Sequence, residues 1–244
     1  MNILVIGATS AIARSVSRLY AVKNAKLFLL ARDEERLRES AADLELRGAS
    51  SVKALNYNAE NTEKHSAIVE AAVEYLGSID IVLICHGNLP NQEECQADYE
   101  KAENAIRVNG LSVISLCTEI VNRLRKQKKG TLAVITSVAG ERGRQPNFVY
   151  GAAKSMVSTY LQGLRGSLVT DNVHIVDVRP GLVDSPMTAH LRKGPLWSSP
   201  ESIASSIIKG IGKKRHVIYA PSYWRLIMLL VCVIPENIFK RIKI

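Results

Sequence analysis

The sequence predicts one α/β domain in which helices cover both faces of a parallel sheet of seven strands. Short apolar segments alternate with longer segments of helical spacing along most of the 244 residues. The apolar segments are continuous rather than alternating, which is typical of strands that are buried on both faces. Hydrophobic residues make up 47% of the chain, and no repeat or linker divides it, so we expect a single large core.

Each element follows from this alternation. Seven short runs rich in Val, Ile and Leu are predicted as strands: Asn2–Ile6, Lys26–Ala31, Ser51–Asn56, Asp80–Ile84, Gly130–Thr136, Val173–Val178 and His216–Tyr219. Seven longer runs with apolar residues at helical spacing are predicted as helices: Ala11–Lys23, Asp33–Gly48, Thr62–Tyr75, Tyr99–Val108, Leu111–Lys128, Val149–Thr170 and Glu201–Gly210. This order of strands and helices is typical of a doubly wound sheet.

The C-terminal residues depart from the pattern. We expect residues 1–220 to form the sheet domain and residues 221–244 to form an apolar and basic helical tail, either within that domain or as a contact surface. The apolar run Leu226–Ile234 is too short to cross a bilayer, which needs about 20 residues. A core or subunit-interface helix and a helix lying on a membrane surface both stay open.

The formal net charge of +9 comes from 32 Lys and Arg against 23 Asp and Glu. From residue 209 to 244, eight basic residues stand against one acid, Glu236, which leaves +7 of that total. This concentration beside the apolar run favours a membrane surface or a subunit contact. It argues against a nucleic-acid partner, for which no binding motif is present. The composition also excludes a disordered or fibrous chain.

The four cysteines form no C-x-x-C pair, so their spacing predicts no zinc or redox motif and no metal site. Three of them lie in apolar segments, as small buried side chains of a reducing compartment do. Met1 leads into the first strand without a basic leader, which predicts the absence of a signal peptide. We therefore expect a cytoplasmic protein, located at the inner face of the membrane if the tail binds lipid.

The first strand is followed by a loop and a helix that suit a dinucleotide. Gly7 permits the tight turn, and the start of the next helix offers free N–H groups to a phosphate. Ala11 and Ala13 occupy positions where glycine is usual, so a plain strand–helix turn stays open from this segment alone. After the second strand, Arg32 stands where sites for NAD usually have an acid. An arginine there suits the 2′-phosphate of NADP(H), or else it is solvated beside Asp33.

Tyr150 and Lys154 form the strongest candidate pair for catalysis. Their i, i+4 spacing places both side chains on one face of the predicted helix Val149–Thr170. A free tyrosine has a pKa of about 10, and a nearby ammonium would lower it, which would make a usable general acid–base. Ser137 follows the strand Gly130–Thr136 at the edge where open α/β sheets bind ligands, and its hydroxyl would hold a substrate carbonyl.

With these residues the sequence resembles the short-chain dehydrogenase/reductase family over nearly its whole length. The match rests on the loop at Gly7, Asn109, Ile135-Thr136-Ser137, Tyr150-x-x-x-Lys154 and Arg179–Ser185. The resemblance implies a Rossmann-type fold and a homo-oligomer. It also implies four catalytic roles: Ser137 orients the carbonyl, Tyr150 donates the proton, Lys154 holds the nicotinamide ribose, and Asn109 anchors a water of the proton relay.

The resemblance further implies which residues contact the cofactor. We expect them to be Gly7, Thr9, Ser10, Ala11, Ile12, Arg32, Asn58, Ala59, His86, Gly87, Tyr150, Lys154, Pro180, Gly181, Val183 and Ser185. Asn58 stands where the family usually has an adenine-binding Asp, and Cys85-His86-Gly87 replaces the family's Asn-Ala-Gly. His86 is either a residue that faces the ligand or a spacer on the loop.

Three further stretches are similar to the keto-reductase subunit of the decaprenylphosphoryl-ribose epimerase system: Ala139–Tyr150, Met187–Leu196 and Tyr223–Ile244. That subunit reduces a lipid-linked 2-keto pentose after a flavoprotein oxidase has oxidised the ribose. The resemblance implies a substrate with an anionic phosphate and a long apolar chain. Four basic residues flank the expected substrate side and either meet this phosphate or face solvent: Arg142, Arg144, Arg192 and Lys193.

The sequence therefore predicts an NAD(P)-dependent short-chain oxidoreductase that reduces a ketone to a secondary alcohol and prefers NADP(H) to NAD(H). A lipid-phosphate-linked keto-pentose is the predicted substrate, and a flavoprotein oxidase is the predicted partner. Two alternatives stay open. One is a reductase of a small soluble or acyl ketone whose tail is an oligomer interface. The other is a non-catalytic NADP(H)-binding regulatory protein, which the altered glycine loop would permit.

Overall fold

Seven parallel strands form the central sheet of the computed structural model, which describes residues 1–242. The strands are β1 (Asn2–Ile6), β2 (Lys26–Ala31), β3 (Ser51–Asn56), β4 (Ile81–Ile84), β5 (Gly130–Ile135), β6 (Val173–Pro180) and β7 (Val217–Ala220). Their order is β3-β2-β1-β4-β5-β6-β7, and each neighbouring pair is parallel. The predicted fold class is confirmed. The last two residues of the predicted tail, Lys243 and Ile244, lie outside the described residues.

Helices lie on both faces of this sheet. They are α1 (Ala11–Ala21), α2 (Glu34–Leu46), α3 (His65–Leu76), α4 (Gln92–Ala97), α5 (Tyr99–Ile106), α6 (Ser112–Gln127), α7 (Phe148–Ser167), α8 (Pro200–Gly212), α9 (Trp224–Val233) and α10 (Glu236–Phe239). Short 3₁₀ turns occur at Thr62–Lys64, Val138–Gly140 and Pro186–Thr188, and a π-helical turn occurs at Arg107–Leu111.

Two cores result, because successive side chains of a strand point to opposite faces of the sheet. Leu4 and Ile6 of β1 pack in the core beneath α3, α6 and α7. Ile3 and Val5 of the same strand pack in the core beneath α1, α2 and α8. All four are at most 1% exposed, which explains why the strand sequence is apolar without alternation.

Two features of the helices differ most from the prediction. Helix α4 was not predicted; it begins where the Asn91 side chain accepts hydrogen bonds from the backbone N–H groups of Glu93 and Glu94. The predicted helices over 99–108 and 111–128 are one continuous helical segment, since the π-helical turn at 107–111 joins α5 to α6. Such turns are frequent at functional sites, and this one contains Asn109.

The tail folds back as α9 and α10. The buried side of α9 packs in a small cluster that contains Val138, Trp224 and Met228. Within residues 1–242, no helix has the length and apolar character that crossing a membrane requires. Lys213, Lys214 and Arg215 precede β7, so they lie at the amino edge of the parallel sheet. The C-terminal positive charge is therefore divided between two ends of the domain, which corrects the expectation that it is concentrated beside the apolar run.

Candidate active site

A cavity of about 510 Å³ opens at the carboxyl ends of the strands. Between β1 and β4 the sheet order changes direction, and open α/β sheets bind ligands at such a point. Every predicted cofactor residue lines this cavity: Gly7, Thr9, Ser10, Ala11, Ile12, Arg32, Asn58, Ala59, His86, Gly87, Tyr150, Lys154, Pro180, Gly181, Val183 and Ser185. Ser137 also lines it. Asn109 does not, and lies behind the wall.

Gly7 forms the tight turn at the end of β1. Its φ of +79° favours glycine, and a Cβ there would lie 2.5 Å from the backbone nitrogen of His86. Its N–H donates to the Leu30 carbonyl oxygen at 2.8 Å. The backbone after β1 therefore packs directly against the loop after β4, and no side chain fits between the two.

Helix α1 begins just after this turn. The Ser10 hydroxyl accepts a hydrogen bond from the Ala13 N–H at 3.2 Å and so caps the helix. Ala11 and Ile12 line the cavity at the first turn, where backbone N–H groups have no partner within the helix. Ala11 and Ala13 have helical backbone, in which alanine is favoured, so the glycines usual in the family are not needed here. These residues fit the pyrophosphate of a dinucleotide.

Two arginines lie at the end of the cavity that follows β2. Arg32 and Arg36 both line it, and the Arg36 guanidinium donates to the Thr9 carbonyl oxygen at 3.4 Å. Arg32 forms an ion pair with Glu60 at 3.3 Å, and its side chain is 65% exposed. Asp33 instead caps α2 by accepting from the Arg36 N–H, so the acid that pairs with Arg32 is Glu60 and not Asp33. Arg36 was not predicted, although it lies one helical turn after Arg32.

His86 has one ring nitrogen engaged and one free. Its Nε2 lies 2.9 Å from the Ser112 hydroxyl, which itself donates to the Val108 carbonyl oxygen. Nε2 must therefore donate, so Nδ1 is the unprotonated acceptor. Nδ1 is buried and has no hydrogen-bond partner in the described part of the chain. Burial beside the Lys154 ammonium lowers the pKa of His86 to about 3, so the ring stays neutral. The residue lines the cavity, which favours the ligand-facing alternative over the spacer.

Ser137, Tyr150 and Lys154 converge on the cavity from two elements. Ser137 follows β5, and its hydroxyl accepts a hydrogen bond from the Ala139 N–H at 3.1 Å. Tyr150 and Lys154 lie one turn apart in α7, with the Lys154 nitrogen 5.6 Å from the centre of the Tyr150 ring. Lys154 is 3% exposed and donates to the Ile135 carbonyl oxygen at 3.1 Å.

The pKa values of this pair differ from the prediction. Burial raises the pKa of Tyr150 to about 12, and the hydrogen bond with Ser137 opposes that rise. Burial lowers the pKa of Lys154 to about 8. The expected lowering of the tyrosine pKa is therefore wrong for this cavity, because desolvation of the phenolate raises it. Near neutral pH the tyrosine carries its proton and is ready to act as an acid.

Asn109 supports the cavity wall from behind. It is fully buried, its Oδ1 accepts from the Asn88 N–H at 3.1 Å, and its Nδ2 donates to the Asn88 side chain at 2.7 Å. A Cβ on Gly87 would lie 2.7 Å from the same Oδ1, so only glycine fits between the asparagine and the cavity. The described contacts place Asn109 on the Gly87–Asn88 turn, and its role in a proton relay stays a prediction.

The loop after β6 and the start of α9 close the other side of the cavity. Pro180, Gly181, Val183 and Ser185 line it together with Trp224. A Cβ on Gly181 would lie 1.8 Å from Trp224 Nε1, so the indole sits directly on the glycine backbone. Trp224 was not predicted as a site residue, because nothing in the sequence shows that the tail returns to the sheet edge.

The four basic residues expected on the substrate side have different surroundings. Arg142 is turned away from substrate: its guanidinium donates to three carbonyl oxygens at the end of α9 and pairs with Glu236. Lys193 pairs with Asp184 at 2.6 Å, and Arg192 is exposed. Arg144 alone of the four lines the cavity, with a buried Nε that has no partner among residues 1–242.

A buried charged network supports the floor of the site. Asp177 of β6 is fully buried and accepts from the Thr136 hydroxyl at 2.5 Å and from Arg179 at 2.8 Å. Arg179 also pairs with Glu141, which accepts from the Tyr219 hydroxyl at 2.9 Å. The network joins β5, β6 and β7 directly beneath Ser137. The sequence signal for it was a carboxylate and an arginine two residues apart, at 177 and 179, in a strand whose other central residues are Ile and Val.

Comparisons with known proteins identify the family of the chain. A sequence profile of the short chain dehydrogenase family matches residues 1–196. An uncharacterized oxidoreductase encoded in the mprA 5′ region of Streptomyces coelicolor is 30% identical over the whole chain and 96% of its own length. An uncharacterized oxidoreductase of Mycobacterium tuberculosis is 28% identical over 98% of this chain and 96% of its own.

Solved structures show the same fold. A short-chain dehydrogenase from Sphingobium yanoikuyae in complex with NADPH superposes with a TM-score of 0.82, at 22% identity over 97% of both chains. A variant of the actinorhodin polyketide ketoreductase with NADPH superposes with a TM-score of 0.80, at 19% identity over 89% of this chain and 95% of that one. The profile match spans most of the sequence, and the relatives span nearly all of it. The chain therefore belongs to the short-chain dehydrogenase family and is an NAD(P)-dependent oxidoreductase.

Proposed function

We propose that this protein is an NADP(H)-dependent reductase that converts a ketone to a secondary alcohol. The observation that carries the proposal is the meeting of Ser137, Tyr150 and Lys154 on the wall of a cavity whose other end holds Arg32 and Arg36. One cavity thus offers a proton donor at one end and two cations for a phosphate-bearing cofactor at the other. A bound nicotinamide would supply the hydride.

The pKa values and the hydrogen bonds indicate which groups supply and replace the proton. The Ser137 hydroxyl would donate its hydrogen to the substrate carbonyl oxygen, since a carbonyl oxygen can only accept. As hydride adds to the carbonyl carbon and the C=O π bond opens, Tyr150 transfers its phenolic proton to the oxygen. Lys154, whose pKa is about 8, then returns a proton to the phenolate. The products are the secondary alcohol and the oxidised cofactor.

The preference for NADP(H) over NAD(H) rests on charge. No acid follows β2 at position 32 to bond a ribose 2′-hydroxyl, and Arg32 stands there instead. Arg36 adds a second guanidinium on the same wall. A 2′-phosphate would displace Glu60 from Arg32, which is a weak and largely exposed pair. We therefore propose that the two arginines hold the 2′-phosphate.

The proposed substrate is a keto-pentose on a lipid phosphate, supplied by a flavoprotein oxidase. Arg144 supports an anionic substrate because its unpartnered Nε is buried at the cavity wall. Asn147 lies three residues on, and its buried Oδ1 is also unpartnered in the described chain and suits a sugar hydroxyl. Three apolar side chains of the same wall, Met187, Leu191 and Trp224, suit a lipid chain.

The test combines one substitution with two ketones. Tyr150→Phe should reduce NADPH oxidation about 10²- to 10⁴-fold, as expected for the loss of a general acid, with NADPH affinity nearly unchanged. Tyr160→Phe, on the same helix but bonded to Thr118, is the matched control and should keep full activity. Retained turnover in Tyr150→Phe would refute the mechanism.

The second arm addresses the substrate. The polyprenyl-phosphate keto-pentose, generated in place by a flavoprotein oxidase, is compared with a neutral water-soluble ketone. Arg144→Gln should raise KM about tenfold or more for the phosphate-bearing ketone and leave that of the neutral ketone unchanged, because a charged hydrogen bond contributes about 1.5–3 kcal/mol. Reduction of the soluble ketone alone would leave a general reductase. NADPH binding without turnover on either would favour a regulatory protein.

A further inference from the structure

Helix α9 is apolar on two opposite sides. Its inner side packs on the domain, with Trp224 and Met228 at most 5% exposed. Its outer side carries large side chains that are 41–69% exposed: Tyr223, just before the helix, and Leu226, Leu229, Leu230 and Val233. We call these five residues the α9 surface. Large apolar side chains are normally buried, and those on the outer side of α9 pack against nothing among residues 1–242.

The α9 surface continues into the mouth of the cavity. The Tyr223 hydroxyl donates to the Leu196 carbonyl oxygen at 3.1 Å and lies 3.3 Å from the Ser198 hydroxyl. Ser198 in turn donates its N–H to the carbonyl oxygen of Leu182, which lines the cavity. Trp224, the next residue after Tyr223, is part of the cavity wall. The exposed apolar surface and the substrate entrance therefore share one loop.

Positive charge borders this surface. Arg225 lies within α9, and Lys240 and Arg241 follow α10; all three are exposed. The acid of this segment, Glu236, is paired with Arg142 at 3.1 Å. The segment therefore offers an apolar stripe with cations beside it and its acid neutralised, which is the pattern of a helix that binds an anionic lipid surface.

We propose that the α9 surface docks onto an anionic lipid bilayer, with α9 lying in the plane of the interface. A second copy of the chain suits the surface less well. A twofold dimer through this patch would bring each of Arg225, Lys240 and Arg241 close to the same cations of the other copy. In the docked orientation the cavity mouth faces the lipid, so that a ketone with an apolar chain enters without crossing water. That last consequence rests on the proposed function, whereas the docking does not.

The docking is tested by sedimentation of the full chain with vesicles. We expect binding to vesicles of phosphatidylcholine with phosphatidylglycerol, weaker binding to phosphatidylcholine alone, and a loss of the difference at high salt. The double variant Leu229→Glu/Leu230→Glu should bind the anionic vesicles about tenfold less or weaker still. Leu46→Glu, a change at a leucine of α2 that is 90% exposed, is the matched control and should bind as the unaltered protein does.

A second pair of substitutions addresses the charges. Lys240→Gln/Arg241→Gln should reduce binding to the anionic vesicles to the level seen with phosphatidylcholine. Thermal unfolding of each variant checks that it is folded. We expect every variant to fold because the altered side chains are exposed. Failure of the unaltered protein to bind, equal binding to both vesicle types, or full binding by the leucine variant would each overturn the proposal.

Light scattering distinguishes the competing occupant. If Leu229→Glu/Leu230→Glu turns an oligomer into a monomer and the unaltered protein binds no vesicles, the surface is a subunit contact and the proposal is wrong. Because vesicle binding is measured without substrate or cofactor, docking that persists while NADPH oxidation fails would refute the proposed function and leave the docking standing.

Discussion

Arg142 fastens the tail to the domain, and replacing it should release α9 without touching the catalytic residues. Its Nη1 lies 2.7, 3.1 and 2.6 Å from the carbonyl oxygens of Val231, Cys232 and Ile234. One NH₂ group has two hydrogens, so these contacts amount to about two charge-assisted hydrogen bonds at one time. The guanidinium also stacks 3.9 Å from the centre of the Phe239 ring.

The expected cost of Arg142→Gln follows from these contacts. Two hydrogen bonds to a charged donor contribute about 3 kcal/mol at the lower end of their range, which applies here because water can reach the end of the helix. The ion pair with Glu236 adds little, since the glutamate side chain is 77% exposed. A loss of about 3 kcal/mol in local opening free energy should speed amide exchange in α9 and α10 about 100-fold.

Hydrogen–deuterium exchange measured by mass spectrometry is the assay, read on peptides that cover residues 224–239. Peptides from α3, which has no contact with Arg142, serve as the internal control, and Arg192→Gln serves as the control variant because Arg192 is exposed. Unchanged exchange in residues 224–239, together with a raised KM for a phosphate-bearing ketone, would show that Arg142 faces the substrate and would refute the reasoning.

Three further predictions concern pH, the turn at Gly7 and the cofactor. Because the pKa of Lys154 is lowered to about 8, the ammonium that returns the proton is present below that pH, so kcat/KM for ketone reduction should fall as pH rises through about 8; a flat profile up to pH 10 would contradict this. Gly7→Ala should lower the free energy of unfolding by about 2 kcal/mol, which is roughly 4–8 °C in Tm, and should weaken NADPH binding. The control is Gly163→Ala, where a Cβ meets nothing within 4 Å, and it should be neutral or stabilising. Arg32→Glu should weaken NADPH binding about tenfold or more in titration calorimetry and leave NADH binding nearly unchanged, and equal losses for both cofactors would contradict the 2′-phosphate assignment.

The strands and most helices could be predicted because their signals are local. A parallel strand that is buried on both faces has apolar residues at consecutive positions, as β1 does around Leu4 and Ile6. The apolar spacing of a helix likewise repeats within a few turns. Position along the chain also placed Ser137, Tyr150 and Lys154, since a strand end and one helical turn determine where they lie. The short helix α4 and the π-helical turn at 107–111 were missed, because each depends on a few hydrogen bonds rather than on a repeating pattern.

The sequence by itself determined the doubly wound sheet, the tight turn at Gly7, and the strand end and helix turn that carry Ser137, Tyr150 and Lys154. Only the tertiary structure decided which charges and apolar groups meet. Arg142 and Arg144 are two residues apart, yet one fastens α9 and the other lines the cavity. Trp224 reaches the cavity wall from the far end of the chain. The physical reason is that solvent access decides which partners a side chain has and shifts its pKa, and no local sequence pattern reports solvent access. Burial raises the pKa of Tyr150, which therefore keeps its proton, and lowers the pKa of Lys154, which therefore loses its proton more readily.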